Sequence, residues 1–183
     1  PPRSTRKESS AASDVYKRQA RLFKMMGCQI SCFDVLTPDP IEAGKVNAQI
    51  CDLPTLLSQS DIVSIHVPLT DITNGLISDI ELQKMKKNAI LINAARGGIV
   101  NERALAAALE TGIIKGAVVD VYSQEPAISD NPLLKLSQTA MERVFFSPHI
   151  AGITKQSWTY LFQKSWQNLA LYFDNEPLSD RQI

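Results

Sequence analysis

Four polar residues stand where apolar runs break: Arg96 after AILINAA, Asp120 inside GAVVDVY, Glu125 in the loop that follows, and His149 after VFFSP. A guanidinium holds a carboxylate through two parallel hydrogen bonds, so Arg96 suits a 2-keto acid. Gly97 and Gly98 behind it let the backbone come close to a ligand. Arg96 could equally be a surface arginine at a turn. An RNA-binding RGG element is disfavoured, because a single RGG between a strand and a helix is not the disordered repeat such elements use. A carboxylate beside an imidazole raises the imidazole pKa from about 6.5 and keeps it protonated near neutral pH, as a general acid requires. Glu125 and His149 could supply that pair. A lone histidine is more often structural, and Glu125 alone could be any loop carboxylate. What favours chemistry is convergence, since Arg96, Glu125 and His149 each lie just past the carboxyl end of an expected strand. Asp120, an acid in an apolar strand, needs a polar partner if it is buried.

The elements that position them read clearly from Ala20 onward. ARLFKMMG is the end of an amphipathic helix closed by Gly27. CQISCFDV is a strand, and a short strand includes Ala48 to Cys51. LPTLLSQS is a short helix, and DIVSIHV a buried strand. Ser78 and Glu81 form a capping box for IELQKMKK. AILINAA is a buried strand, and Asn101 caps ERALAAALET, which Gly112 ends. GAVVDVY and VFFSP are two more strands, and a last helix runs from near Thr154 to about Phe173. Apolar strands alternating with amphipathic helices predict a doubly wound α/β fold, a parallel sheet covered on both faces. Ligands of such sheets sit at the carboxyl ends of the strands. Asp34 closes its strand there and can accept both ribose hydroxyls of the adenosine half of NAD, or it is an ordinary turn aspartate.

Bulk properties narrow the function class. The 183 residues suffice for one domain with a core, and 44% hydrophobic with 21% charged residues is ordinary for a globular protein. Nineteen basic residues balance nineteen acidic ones, which argues against nucleic acid as a partner. No apolar run reaches the roughly 18 residues of a membrane span, and no signal peptide is visible. Cys28, Cys32 and Cys51 fit reduced thiols of a cytoplasmic protein. Cys28 and Cys32 are expected buried on one face of a strand, with no further ligands to make a metal site. Residues 1–19 lack hydrophobic periodicity and are expected to be disordered or foreign. Residues 1–21 carry +4, leaving −4 on the remaining 162.

Together, FKMMGCQISCFDV, HVPLTDITNGLI, ILINAARGGIVNERALAAAL, GAVVDVYSQEP and SPHIAGIT closely resemble the D-2-hydroxyacid dehydrogenase family, in its order and spacing, over about residues 20 to 180. The resemblance implies an NAD-binding domain over residues 20–175, truncated, with a tail at 176–183. It implies that Arg96 binds and polarises a small 2-keto or 2-hydroxy acid substrate, that Glu125 pairs with His149, and that His149 protonates the carbonyl oxygen as hydride arrives. Asp34 would hold the adenine ribose and Asp120 would lie near the nicotinamide amide. Val67, Thr73, Ala94, Ala95, Arg96, His149 and Gly152 would line the cofactor, while His66 is cofactor-adjacent or a packing residue. The full-length protein would be a homodimer. Two departures stand out. The separate substrate domain is expected to be missing from this chain, and the Gly-x-Gly-x-x-Gly turn expected at 11, 13 and 16 reads Ala11, Ser13 and Tyr16. The Rossmann-like fold is therefore expected to lack its first strand and glycine-rich turn, leaving apolar strand edges open to association and this chain inactive alone. The other function class is an NAD-sensing, corepressor-like binding protein, which shares fold and trio. The absence of a basic face and of a long regulatory tail favours the enzyme.

Overall fold

The computed structural model describes residues 10–36 and 38–178. Four strands form one parallel sheet in chain order: β3 (Ile62–Ile65), β4 (Ile90–Asn93), β5 (Gly116–Val119) and β6 (Val144–Phe146). Ile65 lies opposite Asn93, and Asn93 opposite Val119, so the carboxyl ends are in register along one edge. Helix α3 (Leu53–Gln59) leads into β3, and α4 (Asp79–Lys84), α5 (Glu102–Thr111) and α6 (Gln138–Met141), with a 3₁₀ turn at Pro132–Lys135, connect the strands. The caps follow the sequence signals. Asn101 Oδ1 accepts the Arg103 and Ala104 amides at 3.1 Å, and Gly112 ends α5 with φ +69°. The Ser78 amide donates to Glu81 at 3.2 Å. Leu57, Leu82, Leu105 and Leu109 of the helices are fully buried with Leu91, Ile114 and Leu133 in one apolar cluster that also holds Val63, Ile65, Ala117 and Val119. This core fixes the strand ends from which the polar loops emerge.

The remaining elements depart from the simplest reading. Strands β1 (Ser31–Cys32) and β2 (Gln49–Ile50) form a separate two-stranded parallel sheet. Among the described residues no strand joins β1 to β3, as expected of a Rossmann-like sheet without its first strand. The expected cover on both faces is only partial. Ile62 is 54% and Phe145 66% exposed, although Val63 and Val119 of the same sheet are buried. Helix α7 (Lys155–Phe173) starts at a Thr154–Ser157 cap but buries none of its residues, leaving Trp158, Phe162 and Trp166 exposed.

Helix α1 spans Ser10–Met25, so the last ten residues of the 1–19 segment are helical, and residues 1–9 lie outside the described part. Helix α2 (Pro40–Lys45) was not anticipated; Asp39 caps it by accepting the Ile41 amide at 2.8 Å. The expected burial of Cys28 and Cys32 on one strand face is corrected. Strand β1 starts only at Ser31, at the rim of a two-stranded sheet, so Cys28 is exposed and Cys32 half-buried. All three thiols are free, and burial pushes the Cys32 thiol above its ordinary range, helped by nearby Cys51 and Asp34.

Candidate active site

His149 and Glu125 meet beyond the carboxyl ends of β5 and β6. Their Nδ1 and Oε2 atoms are 2.7 Å apart. An ionised carboxylate only accepts, so Nδ1 donates and Nε2 is left to exchange a proton with a ligand. The side chains are 45% and 36% exposed, which separates this histidine from a packed structural one. Glu125 Oε1 also accepts the Tyr122 amide at 3.0 Å. The hydrogen bond from His149, then that amide, holds the Glu125 carboxyl below the ordinary carboxylate range.

The His149 backbone has φ +55°, an uncommon conformation for a residue with a side chain. Asp120 holds it. This carboxylate is almost wholly buried and accepts the Ile150 amide at 2.9 Å, the Ala151 amide at 3.0 Å and the Ser147 hydroxyl at 2.5 Å. Burial opposes its ionisation, but the Ser147 hydroxyl and the two amides outweigh it, with His149 adding, so its pKa falls below the ordinary value. The polar partner that a buried acid requires is therefore the histidine loop itself. Tyr122 ties the two loops from the other side, its hydroxyl donating to the Ser147 carbonyl at 3.0 Å.

Arg96 is exposed after β4, its Nη1 donating to the Ala95 carbonyl at 2.6 Å. Asn93 shapes this turn by donating to the Arg96 carbonyl at 3.1 Å and accepting the Ala95 amide at 3.2 Å. Gly97 has a use that sequence reasoning missed. A Cβ there would sit 1.8 Å from the Tyr122 carbonyl oxygen. The glycine thus lets the arginine loop lie against the backbone of the Glu125 loop. Glu102 was missed as well, because its position in the first turn of α5 already had a helix-terminal explanation. Its two oxygens take the Ser123 amide, the Ser123 hydroxyl and Asn131.

The residues expected to line a cofactor fall on several loops, Asp34 beyond β1 of the two-stranded sheet and the others on loops that follow β3, β4 and β6. Asp34 is exposed beyond β1, one oxygen accepting the Leu36 amide at 3.2 Å. Ala94 and Gly152 are exposed, while Val67 and Ala95 pack partly on the core. Thr73 is fully buried, and its hydroxyl donates to the Pro68 carbonyl at 2.6 Å, so it shapes its loop from inside. His66 sits 2.9 Å from the Ser64 hydroxyl with its ring 5.9 Å from that of Tyr16, and desolvation lowers its pKa. Among the described residues no cluster of three or more His, Cys, Asp or Glu side chains could hold a metal, and no helix is long and apolar enough to cross a membrane.

A four-stranded parallel sheet with flanking helices and a hydrogen-bonded His–Glu pair beyond its carboxyl edge is the arrangement of a Rossmann-like domain. The chain belongs to the family described as D-isomer specific 2-hydroxyacid dehydrogenase, NAD binding domain, whose profile matches residues 12–151. It is 42% identical over 134 residues to a D-3-phosphoglycerate dehydrogenase of Archaeoglobus fulgidus, covering 71% of this chain and 24% of that protein. It is 40% identical over 157 residues to a glyoxylate reductase of Thermofilum pendens, covering 86% of this chain and 45% of the relative. The chain thus spans less than half of either. Among solved structures, a D-lactate dehydrogenase from Treponema pallidum superposes with a TM-score of 0.81 at 29% identity, over 91% of this chain and 52% of that one. The NAD-complexed D-isomer specific 2-hydroxyacid dehydrogenase of Lactobacillus delbrueckii ssp. bulgaricus gives a TM-score of 0.77 at 27% identity, over 91% and 52%.

Proposed function

We propose that this chain is the cofactor-binding half of an NAD-dependent D-2-hydroxyacid dehydrogenase that interconverts a small 2-keto acid and its 2-hydroxy acid. The observation that carries this reading is the 2.7 Å His149–Glu125 pair at the carboxyl edge of the sheet. Bound NADH would supply the hydride. Arg96 pairs with the substrate carboxylate and polarises the keto group. His149, its Nδ1 engaged by Glu125, passes the Nε2 proton to the carbonyl oxygen as the alcohol forms, and takes it back in the reverse direction. Asp120 positions that histidine through the amides beside it. The full-length protein acts as a cytoplasmic homodimer.

The residues present fit NAD at its two ends but not between them. Asp34 offers a carboxylate where the adenosine ribose binds, and Ala94, Ala95 and Gly152 lie on the nicotinamide side. The diphosphate turn needs glycines that admit the backbone to the phosphates. Here Ala11, Ser13 and Tyr16 belong to helix α1, and the Tyr16 ring stands against His66. The 183-residue chain should therefore bind NADH with a dissociation constant on the order of 1 mM or weaker. A family-like first strand and glycine turn grafted before Ala20 should bring binding into the micromolar range. Titration calorimetry of both chains tests this, and a graft that still does not bind would sink the reading.

The same graft tests Asp34. Its carboxylate accepts two ribose hydroxyls but repels a 2′-phosphate, and no arginine stands among residues 35–39 to offset it. NADPH should bind about tenfold or more weakly than NADH. Equal affinities would remove Asp34 from ribose recognition.

A further inference from the structure

We propose that Glu102 is a positioning residue that clamps the loop bearing Glu125 against the loop bearing Arg96, so that the acid–base pair and the substrate-binding arginine keep one fixed spacing. This rests on the roles given above to Arg96, Glu125 and His149. The Glu102 carboxylate is half-buried in the first turn of α5, directly after the Arg96–Gly98 turn and the Asn101 cap. Oε1 accepts the Ser123 amide at 2.7 Å. Oε2 accepts the Ser123 hydroxyl at 2.6 Å and the Asn131 side-chain amide at 3.1 Å. All three donors lie 21 to 29 residues along the chain, in the segment that carries Glu125. Asn131 is itself buried and fixed, since its Oδ1 accepts the Leu133 amide at 2.9 Å.

Ser123 is the residue next to Tyr122, whose amide holds Glu125 Oε1 and whose carbonyl lies against Gly97. A pull on Ser123 therefore acts on both neighbours. It presses the Tyr122 carbonyl onto the glycine of the arginine loop and presents the Tyr122 amide to Glu125. A helix amino terminus favours an anion, which explains an acid at this position, but it does not require that the acid reach across to a distant loop. A glutamine cannot replace it. Its single oxygen serves one side, and its NH₂ group faces another donor, either the Ser123 amide or Asn131.

The test is the carboxyl titration of Glu125, followed by side-chain carbon NMR in the 183-residue chain. The groups near that carboxyl are His149, the Tyr122 amide and Asp120. Glu102 is not among these groups, and the loss of its charge at longer range can only lower the Glu125 midpoint. Loosening the loop weakens its bonds to Tyr122 and His149, which raises it. Glu102→Gln should therefore raise the midpoint by about half a unit or more, and Ser123→Ala should move it the same way by less. Ser123→Ala removes only one hydroxyl contact and keeps the test available if the glutamine variant fails to fold. A midpoint unchanged or lowered in a folded variant would overturn the clamp. His149→Gln serves as the reference. If it too leaves the Glu125 midpoint unmoved, the acid–base pair is not formed, and the proposed reaction falls along with the clamp.

Discussion

Gly97→Ala should destabilise this chain by about 3 kcal/mol or more, among the larger effects of a single added methyl group. The new Cβ would lie 1.8 Å from the Tyr122 carbonyl oxygen, 2.0 Å from its carbon and 2.5 Å from the Ser123 nitrogen. These are backbone atoms, so no rotamer change can make room. Either the arginine loop or the Glu125 loop must move, and the second is held by Glu102, by Glu125 itself and by the Tyr122–Ser147 bond. Gly44 in α2 is the control, because nothing lies within 4 Å of a Cβ built there. Gly44→Ala should be neutral or stabilise by up to about 1 kcal/mol. Urea unfolding of the two variants measures the contrast. A Gly97→Ala midpoint equal to that of the parent would show that the two loops are not in contact.

The second large effect is on chemistry. In the full-length protein, His149→Gln should reduce keto-acid turnover by about 10²- to 10⁴-fold while NADH affinity changes little. Glutamine can hydrogen-bond where the imidazole did, but it has no proton to transfer at neutral pH. Glu125→Gln separates orientation from proton transfer. The Glu125 carboxyl is held below its ordinary range by the hydrogen bond from His149 and then by the Tyr122 amide. For such a depressed group, the pairing contributes fully above the pKa of a free glutamate and is lost as pH falls through the lowered native value. The parent should therefore lose turnover on the acid side as this carboxyl takes up a proton, and Glu125→Gln should be less active throughout but lack that acid-side step. A pH–kcat/KM profile with the same acid limb in both proteins would exclude the pairing from the reaction.

Much of this site was legible because its parts sit where apolar runs stop. Asn101 and Gly112 announced the ends of α5 with side-chain types that have a physical reason to be there, and both do the expected work. The Glu125–His149 pair was legible from convergence at strand ends and from resemblance. The use of Gly97 was not, because a glycine beside an arginine reads as room for a ligand and not as room for another loop. Glu102 was hidden for a similar reason, since its partners are at least 21 residues away and no local pattern encodes them. The cysteines misled because CQISCFDV alternates like a buried strand. Only two of its residues pair, since the strand that would flank them on the β3 side is not among the described residues. Helix α2 carried a readable signal, Asp39 before Pro40, that was outweighed by its shortness.

The sequential order of the four-stranded sheet bears on how the chain acquires its structure. Each of these strands bonds to the one that follows it in the chain, and the apolar cluster draws only on residues from Leu53 to Phe146. No pairing in this region skips over another strand of the sheet. Each strand–helix unit can add to the last, so no closure spans more than the 26 to 28 residues between paired strands. The acid–base pair lies at the late end of this order, because His149 follows the last strand and Asp120 can catch its loop only once β5 and β6 are joined. Assembly of the chemical centre therefore reports completion of this half of the molecule, and it does so independently of the split that separates β1 from β3.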